Sequence, residues 1–127
     1  MNNRGQSLIS FVLVVPIILL ILFMVYDIGS MVSLKEELNN INYLVIDYGL
    51  DNLSDSDLDH KLNEMIVTNK DDIDNIAISV SEGRIDILLQ DRVNNKLSLT
   101  NKIKLLSVKS HYVGYMENDK KVIRKDN

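Results

Sequence analysis

Apolar side chains are concentrated near the start of this chain, in one long run without a charged residue. From Leu8 to Tyr26, only Ser10 and Pro16 interrupt apolar and aromatic residues. As a helix this run rises about 28 Å, close to the ~30 Å hydrocarbon thickness of a bilayer. A secretory signal has a shorter apolar core followed by small residues, which are missing here. The run therefore predicts one membrane-spanning helix, with Tyr26 and Asp27 at its far interface and the Asp27 carboxylate in water.

The helical spacing of apolar residues continues beyond this run. Positions three and four apart form one stripe, made of Met31, Leu34, Leu38, Ile41, Val45 and Tyr48. Such a stripe is typical of one helix face. We therefore predict one helix from about Ser7 to Tyr48, stopped by Gly49. The stripe packs either on the chain's own sheet or in a coiled coil with another chain. Because the stripe is shorter than three heptads, it is weak evidence for a coiled coil.

A shorter helix is predicted after a turn at residues 51–54. Ser54 is its expected N-cap, and the helix runs from about Asp55 to Val67. The apolar face of this helix consists of Leu58, Leu62, Met65 and Ile66. Its acidic start does not fit a calcium-binding loop, which needs Gly at the sixth position and Glu at the twelfth. Counted from Asp55, those positions hold His60 and Ile66. We expect a solvated first turn favoured by the helix dipole.

From Ile76 onward the apolar period changes from about 3.6 to 2, which predicts strands. Two alternating runs flank Glu82-Gly83 and predict a hairpin with a two-residue turn. A third strand is predicted from Leu106 to Tyr115, and Asn118-Asp119 is expected to turn the chain into a short last strand around Val122-Ile123. The predicted fold class is therefore α+β: a long N-terminal helix whose first half is transmembrane, a short helix, and a small antiparallel sheet of three to four strands.

Charge is also distributed unevenly, although the formal net charge is only −4. Residues 35–91 carry 14 acidic and 4 basic side chains, and residues 92–127 carry 9 basic and 3 acidic ones. The two parts either neutralise each other within one domain or attract neighbouring copies head to tail. Nucleic-acid binding is not predicted, because the basic part has no clustered Arg and its Lys residues are mostly spaced singly.

Few residues offer chemistry. The chain has no Cys, which excludes disulfides, zinc ribbons and thiol catalysis. Its glycines are too far apart for a phosphate-binding loop, and there is no Gly-x-Ser-x-Gly motif. His60 and His111 have no paired ligand spacing and are interpreted as surface or structural residues. We therefore predict a non-enzyme without cofactor or metal.

The N-terminal segment carries the most specific motif of the chain. Arg4-Gly5-Gln6 ends a very short polar leader, Phe11 is the sixth residue after Gly5, Pro16 lies inside the apolar run, and Asp27-Ile28-Gly29 closes it. This segment resembles the class III signal of type IV pilin-like proteins. In detail it is similar to the TadE-like family of minor pseudopilins, from tight-adherence (Flp) pilus systems. The resemblance covers about the first 30 residues.

The resemblance implies a bacterial prepilin that a prepilin peptidase cuts after Gly5 at the cytoplasmic face of the cell membrane. Residues 1–5 would be the leader, residues 6–30 the transmembrane segment, and residues 31–127 an extracytoplasmic α+β domain. Charge alone leaves this orientation open, since Arg4 and Lys35 flank the span. The implied partners are the lipid bilayer, the peptidase, other pilin or pseudopilin subunits and the inner-membrane assembly platform.

One residue departs from the family pattern. Pilin-like proteins usually carry Glu at the fifth mature position, which is Ser10 here. Ser10 offers a hydrogen bond but no charge, so an initiating, capping or machinery-bound role is favoured over that of a bulk filament subunit. Ser10, Phe11 and Pro16 are the residues expected to matter for helix packing and assembly. The alternative function is an uncleaved, membrane-anchored scaffold or binding domain of the cell envelope.

Overall fold

The computed structural model describes residues 3–93 and 107–126, without the side chain of Arg4. It confirms the predicted α+β class. The described elements are α1 (Asn3–Asp51), α2 (Leu58–Asn69), β1 (Asn75–Ser81), β2 (Arg84–Arg92), β3 (Ser107–Glu117) and β4 (Lys120–Lys125). Leu106, the predicted first residue of the third strand, lies outside the described residues.

The four strands form one antiparallel sheet in the order β1-β2-β3-β4. The predicted turns join the outer pairs of strands. Gly83 has a φ of 76°, and Asn118 and Asp119 have φ values of 52° and 63°. The turn at residues 118–119 has positive φ at both central residues, the type I′ geometry that suits a two-residue hairpin, and Asn and Asp tolerate it better than other non-glycine residues. In the turn at residues 82–83 the positive φ is at the second central residue, Gly83. The two hairpins therefore follow from local turn chemistry.

Both helices lie on one face of this sheet, and the core lies between the two layers. The stripe of α1 from Leu34 to Val45 is buried, as predicted, and it packs mainly on β3 and β2. Inward-facing residues alternate along β2 at Ile85, Ile87 and Leu89, and α2 contributes Leu58, Leu62 and Ile66. The predicted packing of the stripe on the chain's own sheet is therefore confirmed.

The upper end of α1 differs from its prediction. The helix continues through Gly49 to Asp51, and Tyr48 is exposed while Ile46 and Leu50 are buried. A straight helix has 3.6 residues per turn, so a stripe extrapolated with a 3.5-residue period drifts by about 20° per heptad. Gly49 does not stop the helix. A Cβ at Gly49 would lie 2.5 Å from Ile85 Cδ1, the end of a side chain that would have to shift, so Gly49 lies at a close contact between α1 and the sheet.

The start of α2 also differs from its prediction. The helix begins at Leu58, its N-cap is Asp57 rather than Ser54, and Asp57 makes no side-chain capping bond. Asp55 instead accepts hydrogen bonds from the backbone N–H of Asp57, at 3.0 Å, and from the ammonium of Lys61. These bonds hold residues 55–57 in a turn before the helix, which is why the predicted first turn is not helical.

Candidate functional site

The lower part of α1 is an apolar surface that nothing in the described structure covers. Its large side chains between Leu8 and Val25 are exposed, from 36% at Phe23 to 65% at Leu8 and Phe11. Among the described residues, α1 is the helix that is long and apolar enough to cross a membrane. Leaving this surface in water would cost about 25 cal/mol for each Å² of apolar area. A single long apolar N-terminal helix of this kind is compatible with membrane anchoring.

The predicted processing residues lie at the start of this helix. Gly5 and Gln6 belong to α1, as does the backbone of Arg4, whose side chain lies outside the described part. A Cβ at Gly5 would meet no atom within 4 Å. The Gly5–Gln6 peptide bond is therefore accessible, but its backbone is helical rather than extended.

The predicted packing residues share the uncovered part of the helix. Ser10 and Phe11 line a shallow groove on α1 together with Gln6, Ser7 and Val14. Pro16 lies inside α1, which continues through it. Because proline has no N–H, the carbonyl of Val12 has no helical donor there. Membrane helices tolerate such a loss better than soluble ones.

The burial of Asp27 corrects the prediction that its carboxylate lies in water. Its side chain is only 5% exposed, whereas the sequence placed it in water; Tyr26, beside it, is exposed. The reason is helical spacing. Asp27 precedes Met31 by four residues and therefore lies on the stripe that packs against the domain. The folded domain thus extends down to the predicted end of the membrane span, without an intervening linker.

A polar cleft of about 770 Å³ lies at this junction. It is lined by α1 from Tyr26 to Glu37, by residues 70–72 after α2, and by residues 91–93 at the end of β2. Lys70 spans the cleft, with its Nζ 3.5 Å from Glu37 Oε2 and 4.0 Å from Asp91 Oδ2. These contacts tie α1 to the sheet at its membrane-proximal end.

A buried amide ties α1 to the centre of the sheet. Asn42 Nδ2 donates to the carbonyl oxygens of Ile87, at 3.0 Å, and Ser110, at 3.1 Å. These carbonyls belong to neighbouring strands, β2 and β3. Asn42 Oδ1 is buried and accepts no hydrogen bond from the described residues. Because the amide bonds to both strands, it fixes how α1 lies across them.

Ion pairs connect the acidic helices with the basic C-terminal strand. Lys121 Nζ lies 2.7 Å from Asp51 Oδ1 and 3.0 Å from Asp47 Oδ1. These two hydrogen bonds, the one to Asp51 first, raise the pKa of Lys121. The hydrogen bond from Lys61, followed by that from the Asp57 backbone, lowers the pKa of Asp55, and the Asp55 carboxylate in turn raises the pKa of Lys61. The pairs of Lys121 join the basic part of the chain to the acidic part and so support the intramolecular interpretation of the charge asymmetry, whereas Asp55 and Lys61 both belong to the acidic part.

The sheet also brings together residues that sequence reasoning did not connect. Asp86 of β2, His111 of β3 and Asp126 after β4 converge on the sheet face opposite the helices. Residues 25 and 15 positions apart carry no local spacing signal. The alternation of β2 and β3 is the signal that was available, since it places Asp86 and His111 on the same, outer face of the sheet, but it does not give the register that makes them neighbours.

Comparison of this chain with protein-family models, with curated proteins and with solved structures found no match.

Proposed function

We propose that this chain is a TadE-like minor pseudopilin, a non-enzymatic, membrane-anchored component of a Flp-type pilus assembly or secretion system. The observation that carries the proposal is the continuity of α1, which begins at the Arg4-Gly5-Gln6 motif and extends over 49 residues. Its lower part is an uncovered apolar surface, and its upper part supplies one layer of the domain core. A pilin-like subunit needs this combination of a lateral packing surface in the bilayer and a domain outside it.

In this proposal a prepilin peptidase cuts the Gly5–Gln6 bond on the cytoplasmic side, and the domain lies outside the membrane. The mature chain then begins at Gln6. Other pilin or pseudopilin subunits and the inner-membrane assembly platform contact the exposed flank of α1. This flank supplies van der Waals packing, the main source of helix association in lipid.

The mass of the protein tests the processing step. The chain is co-expressed with a prepilin peptidase, purified in detergent and weighed intact. The expected product lacks residues 1–5. Gly5→Val should stay uncut, whereas Gly29→Val, in the same helix and equally free of neighbours within 4 Å, should be cut normally. An intact wild-type chain, beside a control prepilin that the same peptidase processes, would contradict the proposal.

The uncharged Ser10 favours a position at the base or tip of the organelle over one along the filament. A carboxylate at this place would be costly in lipid unless a neighbour paired with it, and Ser10 removes both the cost and the pairing. Replacing Ser10→Glu should raise the amount of protein that co-purifies with sheared filaments. Ser7→Glu, on the same groove but outside the family position, is the matched control. An unchanged amount in Ser10→Glu would remove this argument.

A second candidate function is an uncleaved, membrane-anchored scaffold of the cell envelope. The observation that favours it is the helical backbone at Gly5-Gln6, because a peptidase must first unwind this turn. The mass experiment separates the two functions, since a scaffold keeps Met1 in the presence of an active peptidase.

A further inference from the structure

We propose that His111 and Asp126, oriented by Asp86, form a binding site for a divalent transition-metal ion such as Zn²⁺ on the outer face of the sheet. The proposal does not depend on the proposed function. Strand pairing brings the three residues together. Asp86 and His111 are diagonal neighbours across the β2–β3 ladder. The Asp126 N–H donates to the His111 carbonyl at 2.8 Å, which extends the β3–β4 ladder by one bond.

The contacts of the imidazole give its two nitrogen atoms different roles. The Nε2 atom of His111 is in hydrogen-bond contact with Asp86 Oδ1. An ionised carboxylate only accepts hydrogen bonds, so Nε2–H is the donor of this bond. Nδ1, on the other side of the ring, is then the atom available to a metal. A carboxylate that orients a metal-binding histidine through its other ring nitrogen is a recurrent outer-shell arrangement.

The second carboxylate lies on the Nδ1 side of the ring. Asp126 Oδ2 is 3.9 Å from His111 Nδ1, too far for a hydrogen bond. Zinc binds nitrogen and oxygen ligands at about 2.0–2.2 Å, so two ligands of one tetrahedral ion lie about 3.4 Å apart. Asp126 is half exposed at the end of β4 and needs to move by only about 0.5 Å to reach that separation. The gap therefore fits an ion shared by the two atoms.

The electrostatic surroundings favour a cation at this point. Within the described residues, Asp86 and Asp126 form ion pairs with His111 alone. Arg124, on the same sheet face, lies over the ring of Tyr115 instead, 5.8 Å from its centroid. Two carboxylates thus flank the imidazole, and among the described residues neither of them has a Lys or Arg partner. Imidazole with carboxylate is a ligand set suited to zinc rather than to magnesium or calcium, and the open side of the site leaves the other coordination positions to water.

Zinc titration of the full chain in detergent micelles at pH 7.5 tests the site. Calorimetry should show one saturable zinc per chain. His111→Gln and Asp126→Asn should each weaken binding by at least about tenfold, and Asp86→Asn by about 10–100-fold, the usual effect of removing an outer-shell partner. The matched control is His60→Gln. His60 also lies 3.9 Å from a carboxylate, that of Glu64, but forms no second such pair within the described part of the chain, so its loss should leave binding unchanged.

Imidazole ¹H–¹⁵N spectra supply a readout that a structural role would not change. Zinc should shift the Nδ1 resonance of His111 while Nε2 keeps its proton. Equal binding by wild type and His111→Gln would overturn the proposal, as would a His111 ring that carries protons on both nitrogens and does not respond to zinc. Far-UV circular dichroism checks the fold. Should His111→Gln lose the sheet, Asp126→Asn at the chain end carries the same test.

Discussion

α1 packs closely on the sheet at Gly114, and adding one methyl group there tests the packing directly. A Cβ at Gly114 would lie 2.2 Å from Ile46 Cγ2 and 3.3 Å from Leu50 Cδ1. Apolar carbons pack at about 3.5–4.0 Å, so Gly114→Ala requires a separation of about 1.5 Å at Ile46. Ile46 has one strongly preferred rotamer in a helix and cannot swing Cγ2 away. The helix itself must therefore move.

The cost of this movement follows from what α1 contacts nearby. Overpacking a core typically costs about 1–3 kcal/mol. A shift of α1 also stretches the bonds from Asn42, one turn earlier on the same helix, to Ile87 and Ser110. We therefore expect the upper end of that range, a loss of about 3 kcal/mol in the free energy of unfolding. Guanidinium denaturation of the full chain in mild detergent, followed by tyrosine fluorescence because the chain has no Trp, measures it.

A double-mutant cycle shows whether the cost comes from the contact with Ile46. Ile46→Ala alone should lose about 2–5 kcal/mol through the cavity it leaves. In the double variant the new methyl group enters this cavity, so the combined loss should be close to that of Ile46→Ala alone. Gly83→Ala is the control. Its φ of 76° makes alanine unfavourable there without any contact to Ile46, so its cost should simply add. Additive costs for Gly114→Ala and Ile46→Ala would refute the reasoning.

Three further predictions concern the buried amide, the ion pairs and the membrane segment. Asn42→Leu should change the free energy of unfolding by less than about 1 kcal/mol, because Asn42 Oδ1 is already unsatisfied and the two carbonyls belong to strands of the β2–β3 ladder. Asn42→Asp should lower the free energy of unfolding by about 3 kcal/mol or more at neutral pH and should regain stability in acid. Denaturation at pH 4 and pH 7 measures both. Because the pKa of Lys121 is raised in the folded state, its ion pairs stabilise the fold at pH values below its ordinary pKa of 10.5. This stabilisation is lost as the pH rises through the higher pKa of the folded state. Thermal melts of wild type and Lys121→Met should therefore converge in strong alkali. The lowered pKa of Asp55 works in the opposite direction: its stabilisation is present above 3.8 and is lost as the pH falls through the folded value, so wild type and Asp55→Asn should converge in strong acid. Ile18→Arg should release the chain from membranes during carbonate extraction, since an Arg at the centre of a span costs about 2.5–3.5 kcal/mol. Ile28→Arg, at the predicted interface, should not release it. Equal extraction of the two variants would contradict a span centred near Ile18.

Local patterns were enough to predict the order of the elements, because each pattern is decided within a few residues. The two turns at residues 82–83 and 118–119 fix both hairpins, and alternation then assigns the inner face of β2. Two of the errors occurred where tertiary contacts override local signals. Gly49 looked like a helix stop, but it lies inside α1 and close to Ile85 and Leu62. Asp27 was expected in water, but it continues the packed stripe of α1 and is buried. The start of α2 was wrong for a local reason, the hydrogen bonds that Asp55 accepts.

The proposed zinc site was beyond sequence reasoning for a different reason. Asp86 and His111 become neighbours only when β2 and β3 pair in one register, across a connection of residues 93–106. A shift of that register by one residue would place the two side chains on opposite faces of the sheet. Asn42 is a similar case: it follows Ile41 of the predicted stripe, and only the crossing of α1 over β2 and β3 gives it two carbonyl partners.

The packed position of Asp27 affects how a partner in the membrane could approach the chain. Since α1 is continuous and packed from Asp27 upward, the direction in which each membrane residue points is fixed relative to the sheet. Successive helix residues are rotated by about 100°, so Ser10, 17 positions before Asp27, points about 100° away from the stripe that contacts the domain. A partner helix in the groove at Ser10 would therefore approach from the side of the sheet rather than from beneath it. Under the proposed function, lateral packing in the bilayer and folding of the domain would use different faces of one helix, so neither set of contacts would have to break for the other to form during assembly.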